Sequence, residues 1–213
     1  MESKKENLFE KTRRKRKSEI LEAAKQLLIE RGYYNVNMSD IAKNISVTRQ
    51  TLYKYFDSID KIIFALQIEL LSDMVKINDY NELRKQSPVD AIINCIIGCL
   101  KYAENHPDET ALMFSFDSYN RKRACDDKLE LEYKHGIRGG RFIQEQIERG
   151  IESGDIKETL DSEIAYVMIF NTAVGFIERV SLIGIEKFNY ENDINVKDVA
   201  SELCAAIRQY LSK

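Results

Sequence analysis

The stretch NMSDIAKNISVTRQTLYKYF, residues 37–56, decides the fold. Asn37 is followed three residues later by Asp40, and this spacing predicts a capping box. In a capping box each of the two side chains accepts a hydrogen bond from the other residue's backbone amide, which fixes the start of a helix. A helix is therefore expected from about Met38 to Asn44.

A second short helix is predicted directly after the first. Thr48 follows the three-residue link Ile45–Val47, and its hydroxyl is well placed to cap a helix over Arg49–Tyr55. Two short helices joined by such a link fit the helix-turn-helix arrangement, in which the second helix enters the major groove of DNA and the first crosses the backbone. The sequence thus predicts a DNA-binding motif here.

Apolar residues at helical spacing predict helices on both sides of this motif. One pattern begins at Ile20 and stops at Gly32, a residue that readily closes a helix. Residues 1–12 are polar and are expected to be frayed. On the other side, Asp57 or Ser58 is expected to cap a fourth helix that continues to about Val75.

The rest of the chain also shows helical periodicity and no alternating strand pattern. Beyond a polar turn at 78–87 the predicted helices cover about 89–105, a short segment around 112–116, 126–153 with glycines at 136, 139 and 140, 162–185, and 196–211. The expected fold is all-α with about nine helices. It has an N-terminal helix-turn-helix domain at residues 1–61 and a larger helical domain at 62–213.

The charge distribution is uneven although the net charge is only −3. Residues 1–61 hold 14 Lys and Arg against 9 Asp and Glu, whereas the remaining residues hold 18 against 26. Five consecutive basic residues, Arg13–Lys17, stand directly before the first predicted helix. A basic head on an acidic body indicates that only the head meets a polyanion.

These motifs resemble the TetR family of transcriptional regulators. The residues that carry the resemblance are Ile20–Ala24, Arg31, Gly32, Tyr33, Ile41, Ala42, Val47, Thr48, Arg49 and Thr51–Phe56. Two positions depart from the family pattern. Ser46 stands where the link usually has a glycine, and Ile59 replaces a lysine near the start of helix 4, with Lys61 two residues later.

The resemblance implies contacts to DNA from the head. Arg49 and Gln50, at the start of the recognition helix, are expected to reach base edges, since Arg reads guanine and Gln reads adenine with paired hydrogen bonds. For Arg49 a phosphate contact is an open alternative. The other residues expected at the DNA are Arg13, Arg14, Arg16, Asn37, Thr48, Thr51, Tyr53, Lys54, Tyr55 and Lys61. Leu52 and Phe56 are expected in the core.

The resemblance also implies a homodimer and a small-molecule effector. The last two predicted helices form a four-helix bundle across a twofold axis in the family, and the surplus of apolar faces on the helix at 162–185 agrees with that role. The residues expected at a ligand are the aromatics Tyr102, Phe114, Phe116, Tyr119, Phe142, Tyr166 and Phe170, with His135, Arg138 and Asn171 as polar anchors. An aromatic residue at helical spacing is more often part of the core than of a cavity wall.

The predicted function is a cytoplasmic, ligand-responsive regulator, most simply a repressor released from a palindromic operator by a small molecule. An enzyme is not expected, because the chain has no nucleophile-elbow, phosphate-loop or zincin pattern. No cofactor, metal or membrane is expected either. Cys95 and Cys99 share a helix face, where core packing is favoured over redox sensing. The alternative function is a helical adaptor or coactivator that acts through protein partners.

Overall fold

A computed structural model describes the backbone of residues 2–121 and 139–212, and side chains of residues 10–121 and 141–212. Of the expected ligand residues, His135 and Arg138 lie outside the described residues, as does the glycine at 136. The described chain is all-helical, with eleven α-helices and no strand within these ranges. The predicted fold class, a helix-turn-helix domain followed by a larger helical domain, is confirmed.

The first four helices surround the motif that opened the sequence. They are α1, Glu2–Arg31; α2, Met38–Asn44; α3, Arg49–Tyr53; and α4, Ile59–Lys76, with a 3-10 turn at Tyr33–Asn35 after the first. The expectation of a frayed start was wrong, because the backbone is already helical from Glu2 and α1 includes the whole basic run. Helix α3 is also two residues shorter than expected.

Buried apolar side chains from all four helices form the core around the motif. Ile41 of α2 and Leu52 of α3 are fully buried, as are Ala24 of α1 and Ile62 of α4. On each of these helices the apolar residues that recur at helical spacing therefore face the core. Burial of each of the larger side chains, Ile41, Leu52 and Ile62, contributes about 1.5–3 kcal/mol.

Seven further helices follow. They are α5, Tyr80–Leu83; α6, Pro88–Asn105; α7, Pro107–Asn120; α8, Gly139–Ser153; α9, Ser162–Ile183; α10, Ile185–Asn192; and α11, Val196–Leu211. Helices α6, α8, α9 and α11 contribute most of one apolar core, in which Ile92, Ile147, Ile169 and Leu211 are fully or nearly fully buried. Helix α6 begins with Pro88, capped by Ser87, whose hydroxyl accepts from the amide of Asp90 at 3.2 Å.

Helices α5 and α10 were not predicted. Helix α5 is a single turn inside the polar segment expected as a turn, and Asp79 caps it. The helix expected at 162–185 ends early because Gly184 takes φ 82° and breaks it, after which α10 runs through the polar sequence IEKFNYEN. No side chain of α10 is buried, so it has no apolar stripe that a periodicity search could find.

The described chain divides into two compact units. One holds Met1–Leu70 together with the segment that begins at Phe116, and the other holds Leu71–Ser115 together with the helices from Gly139 onward. The last turn of α7 therefore belongs to the same unit as the helix-turn-helix. Sequence patterns gave no sign of this, because the residues that share a unit are about fifty positions apart.

Helix α9 is buried on one side only. Ala165, Ile169, Ala173 and Ile177 face the core, but Ile164 is 67% exposed, Val167 49%, Met168 41% and Leu182 48%. This agrees with the surplus of apolar faces that the sequence indicated for the helix at 162–185. By length and composition alone α9 is also the one described helix that could cross a membrane, which is weak evidence for a helix that carries Glu178 and Arg179.

Candidate nucleic-acid interface

The start of α2 is fixed by the predicted capping box. The side-chain oxygen of Asn37 accepts from the amides of Ser39 at 2.8 Å and Asp40 at 3.3 Å, and the Asp40 carboxylate accepts from the Asn37 amide at 2.9 Å. The capping prediction is therefore confirmed. Because the Asn37 oxygen is engaged in the cap, a contact from Asn37 to phosphate has to come from its side-chain nitrogen.

The link between α2 and α3 is a Schellman turn with a serine in the left-handed position. Ser46 takes φ 54°, its amide donates to the Lys43 carbonyl at 3.2 Å, and the Val47 amide donates to the Ala42 carbonyl at 2.9 Å. This pair of bonds defines the motif, and glycine is the residue that adopts its left-handed position without strain. The link thus keeps its turn although Ser46 replaces the usual glycine.

Thr48 caps the recognition helix as the sequence predicts. Its Oγ1 accepts from the Thr51 amide at 3.1 Å and lies 2.9 Å from the Thr51 hydroxyl. The cap fixes where α3 begins, so the two residues that follow it project from the first turn. Arg49 and Gln50 are both exposed there, in the position from which a recognition helix contacts base edges.

The residues from Leu52 to Phe56, at the end of α3 and directly after it, divide into packed and exposed groups. Leu52 is fully buried and Phe56 nearly so, which confirms both as core. Tyr53 and Lys54 are exposed, whereas Tyr55 is half-buried. The recognition helix is therefore held by two apolar anchors, and most of its polar surface stays accessible.

Lys61 lies at the start of α4, where Ser58 rather than Asp57 makes the capping bond, its Oγ accepting from the Lys61 amide at 3.3 Å. The Lys61 ammonium pairs with the Asp57 carboxylate at 2.8 Å. Hydrogen bonding from Lys61 and its positive charge lower the pKa of Asp57. A phosphate would have to compete with Asp57 for this lysine.

The basic run lies on α1. Arg13 and Arg14 are exposed, while Arg16 is half-buried and pairs with Glu19 at 2.7 Å. Lys17 stacks over the Phe56 ring, with its ammonium 5.3 Å from the ring centroid. Lys17 was not singled out in the sequence, and this contact links the basic run to the end of the helix-turn-helix segment.

Two of the residues expected at a ligand lie instead in an aromatic cluster of the helix-turn-helix unit. The Tyr119 ring stacks on Tyr33 at 4.8 Å, and Phe116 meets Phe64 edge-on at 5.0 Å. The Tyr119 hydroxyl donates to the Asp60 carboxylate at 2.5 Å. Phe116 and Tyr119 are almost fully buried, so their observed neighbours are other core groups of this unit.

The other described residues expected at a ligand are distributed over the second unit. Tyr102 is buried and stacks on His106, with ring centroids 4.6 Å apart. Its burial is the main cause that raises its pKa to about 12, and the negative charges of Asp73 and Glu109 add to this effect. Phe142 packs edge-on against Tyr80, and Tyr166 lies beside Phe170. Phe114 is half-buried, and Asn171 is exposed and bonds the Val167 carbonyl of its own helix at 2.7 Å. The structure does not gather these residues into one site.

Cys95 and Cys99 share one face of α6, as predicted. Hydrogen bonding with Cys99 and burial raise the pKa of the Cys95 thiol, and the Asn78 amide donates to the Cys95 carbonyl at 3.3 Å. A thiol with a raised pKa is protonated at neutral pH and reacts slowly with oxidants. For Cys95 this favours the core alternative over redox sensing.

Known proteins match this chain both in sequence and in structure. A fatty acid metabolism regulator protein of Bacillus subtilis is 27% identical over 167 residues, which is 76% of this chain and 81% of the relative. The crystal structure of the regulator FadR from Bacillus subtilis in complex with stearoyl-CoA has a TM-score of 0.64 at 20% identity, covering 91% of this chain and 98% of that one. A TetR transcription regulator from Haloarcula marismortui has a TM-score of 0.70 at 17% identity, covering 92% and 98%.

The family model of bacterial regulatory proteins of the TetR family matches residues 20–66. That range includes α2, the Ser46 turn and the recognition helix α3. The first of these relatives is a regulator of fatty acid metabolism, and the two solved structures are of transcriptional regulators. Over residues 20–66 the chain is therefore similar to the DNA-binding domain of bacterial regulatory proteins of the TetR family.

Proposed function

We propose that this chain is a ligand-responsive repressor that acts in the cytoplasm as a homodimer on a palindromic operator. The observation that carries the proposal is the recognition helix α3, which is capped by Thr48 and presents Arg49 and Gln50 to solvent. Each of these side chains can form two hydrogen bonds to one base edge, and such a pair discriminates against the wrong base by about 1–3 kcal/mol.

The basic surface of α1 and the residues around α3 supply the contacts that do not depend on base sequence. Arg13, Arg14 and Lys54 are cations available to phosphates, and Arg16 and Lys61 join them if they leave Glu19 and Asp57. Asn37, Thr48, Thr51, Tyr53 and Tyr55 are the neutral groups in the same region. Because each neutralised phosphate releases counterions, operator affinity should fall steeply with salt.

The exposed face of α9 is the surface proposed for the second copy. Ile164, Val167, Met168 and Leu182 lie at helical spacing on this face, with Asn171, Gly175 and Glu178 between Met168 and Leu182, so a monomer would leave these four apolar side chains in water. Two copies related by a twofold axis would cover it with the same stripe on each chain. The dimer would then present two recognition helices to half-sites about 34–36 Å apart.

The effector class is suggested by the relatives. One is a fatty acid metabolism regulator, and another is solved with stearoyl-CoA. A long-chain acyl-CoA is therefore the first effector to test. If this ligand binds best to a state with misplaced recognition helices, ligand and operator weaken each other's binding by the same factor.

Fluorescence anisotropy with labelled DNA from upstream of the gene tests the proposal. Specific DNA should bind, and replacing Arg49 and Gln50 together with Ala should weaken this complex by at least tenfold while leaving nonspecific DNA nearly unaffected. Gln26→Ala, at an exposed position on α1, is the matched control and should leave both affinities unchanged. Stearoyl-CoA should release the specific complex.

Other outcomes would contradict separate parts of the proposal. Equal loss for specific and nonspecific DNA would mean that Arg49 and Gln50 contact only phosphate. Absence of DNA binding together with a stable complex with another protein would favour the adaptor function. A complex that stearoyl-CoA does not release would remove this effector and leave the DNA-binding function in place.

A further inference from the structure

A cavity of about 420 Å³ opens between α6, α9, α11 and the start of α10, all within the second unit. Its inner wall is apolar and is formed by Ile97, Phe176, Ile177, Val180, Ala200 and Cys204. The volume lies in the range of about 300–1,000 Å³ that is usual for small-molecule sites. None of the described residues that the sequence suggested for a ligand lines it.

The rim of this cavity is polar and carries charges of both signs. Lys101 and Glu104 lie on α6, and Lys197 lies on α11, where its ammonium pairs with the Glu104 carboxylate at 2.8 Å. Hydrogen bonding to Glu104 and the negative charge of Glu104 raise the pKa of Lys197, so this lysine stays charged at neutral pH. The rim therefore holds two cations and one anion around an apolar interior.

This combination selects the ligand's chemistry. An apolar chain can displace water from the inner wall, while its head group stays at the rim. An anionic head can use Lys101 directly and can compete with Glu104 for Lys197, whereas a cationic head would have to compete with Lys197 for the single carboxylate. The rim thus favours a negatively charged head on a long apolar body.

We propose that the cavity between α6, α9 and α11 is the effector site and binds an amphiphile with a linear apolar chain and an anionic head, the Glu104–Lys197 pair acting as an exchangeable gate at its rim. The regulatory consequence rests on the proposed repressor function, but the binding itself does not. A free carboxylate and an acyl-CoA share this chemistry. The ligand series below distinguishes the two.

Isothermal titration calorimetry of the full chain with octanoate, decanoate, decanol and decanoyl-CoA, each below its micelle concentration, tests the ligand class. Decanoate should bind about 15-fold more tightly than octanoate, because each buried methylene contributes a factor of about four. Decanol should bind more weakly than decanoate. Decanoyl-CoA binding more tightly than decanoate would identify the thioester as the source, and the reverse order would identify the free acid.

Two rim variants test the gate through opposite signs. Lys197→Gln should weaken decanoate binding about two- to fivefold, the range expected for an exposed ion pair, whereas Glu104→Gln should strengthen it by releasing Lys197. Lys76→Gln is the matched control, since Lys76 is 69% exposed and pairs with Asp73 at 3.0 Å, much as Lys197 is 71% exposed. It should leave decanoate affinity unchanged.

The location is tested by filling the cavity. Ala200→Leu should weaken decanoate binding by more than tenfold, whereas Ala205→Leu, at an exposed position of the same helix outside the cavity, should not. Circular dichroism shows whether each variant is folded. The rim variants change exposed residues that are not part of the core, so they test the same site even if Ala200→Leu does not fold.

These experiments test the proposed cavity site and the proposed repressor function separately. Unchanged decanoate affinity in a folded Ala200→Leu variant overturns the location, and shifts of the same sign for Lys197→Gln and Glu104→Gln overturn the gate. Decanol binding as tightly as decanoate overturns the anionic head. Absence of operator binding while this pattern of ligand affinities persists would instead overturn the repressor function alone.

Discussion

Helices α3 and α9 differ in how completely the chain accounts for their surfaces. Helix α3 has five residues, and its cap, buried anchors and exposed polar positions follow from its sequence. Helix α9 has 22 residues, yet much of its apolar surface is uncovered in a single chain. Polar capping residues determine where a helix begins from their immediate neighbours alone. An apolar helix face indicates only that it must be buried, and not whether the same chain or a partner buries it.

The largest expected effect concerns the uncovered face of α9. Replacing Met168 with Arg would place an unpaired charge in the proposed dimer interface, at a cost of about 3–5 kcal/mol. Size-exclusion chromatography with light scattering should then show a monomer where the unmodified chain is a dimer. Tyr190→Arg, at an apolar residue of α10 that is more exposed, is the control and should remain dimeric.

An unmodified chain that is monomeric at micromolar concentration would contradict the proposed dimer. The exposed face of α9 would then lack its proposed partner, a second copy. Vesicle co-sedimentation of the unmodified chain would show whether lipid covers it instead.

The next effect concerns the cap of α3. Replacing Thr48 with Ala removes the acceptor for the Thr51 amide and should lower the free energy of unfolding by about 0.5–2 kcal/mol. Urea denaturation followed by circular dichroism measures this change. Thr48→Ser keeps a hydroxyl and should recover most of the loss; equal losses in both variants would mean that packing of the methyl group, not capping, sets the stability.

A smaller effect of opposite sign is expected at the turn before α3. Ser46→Gly relieves the left-handed strain and should raise the free energy of unfolding by about 0.5–1 kcal/mol, after the larger backbone entropy of glycine in the unfolded chain is included. Asn44→Gly, two residues earlier in helical conformation, should lower it by about 0.3 kcal/mol, because asparagine is itself a weak helix former. Thermal denaturation of the two variants should therefore shift in opposite directions, and a common shift would show that Ser46 is unstrained.

The smallest effect is electrostatic. Lys61→Gln should raise the pKa of Asp57 towards its ordinary value, because the hydrogen bond and positive charge that lower it are removed. A carboxyl-carbon NMR titration measures this directly, and the pKa of Glu22, which is lowered by Lys25, should not change. Since folding lowers the pKa of Asp57, the pair favours the folded state at neutral pH, and that contribution is lost as the pH falls through the folded-state pKa.

The sequence predicted the features that depend on neighbouring residues. The caps at Asn37 and Thr48 were identified from spacing within a few positions, and the buried residues Leu52 and Phe56 from their position in the family motif. The left-handed conformation of Ser46 belongs to the turn that joins α2 and α3. It could not be predicted from the residue type, because serine does not favour that conformation as glycine does. The two capping signals located the link at Ile45–Val47, and the family resemblance added that a glycine is usual at position 46.

Features that depend on distant residues were not predictable from one sequence. The rim pair joins Glu104 to Lys197, and neither lysine of the rim stood out among the many exposed lysines of the chain. The aromatic residues proposed for the ligand were chosen by type, and type does not tell core from cavity wall. Phe116 and Tyr119 show this, since both are buried among aromatic rings.

The aromatic cluster that includes Tyr119 also limits how freely this head could be exchanged between regulators. The helix-turn-helix unit draws Phe116 and Tyr119 from the last turn of α7, far along the chain, and Tyr119 holds the Asp60 carboxylate. A gene fusion that transplanted only the first seventy codons onto another sensor would leave Tyr33 and Phe64 without these rings. A fusion of this DNA-binding domain to another sensor domain can therefore keep its core only if it includes the α7 segment or if the recipient supplies equivalent aromatic residues. We therefore expect the two domains to evolve together rather than to be exchanged by recombination.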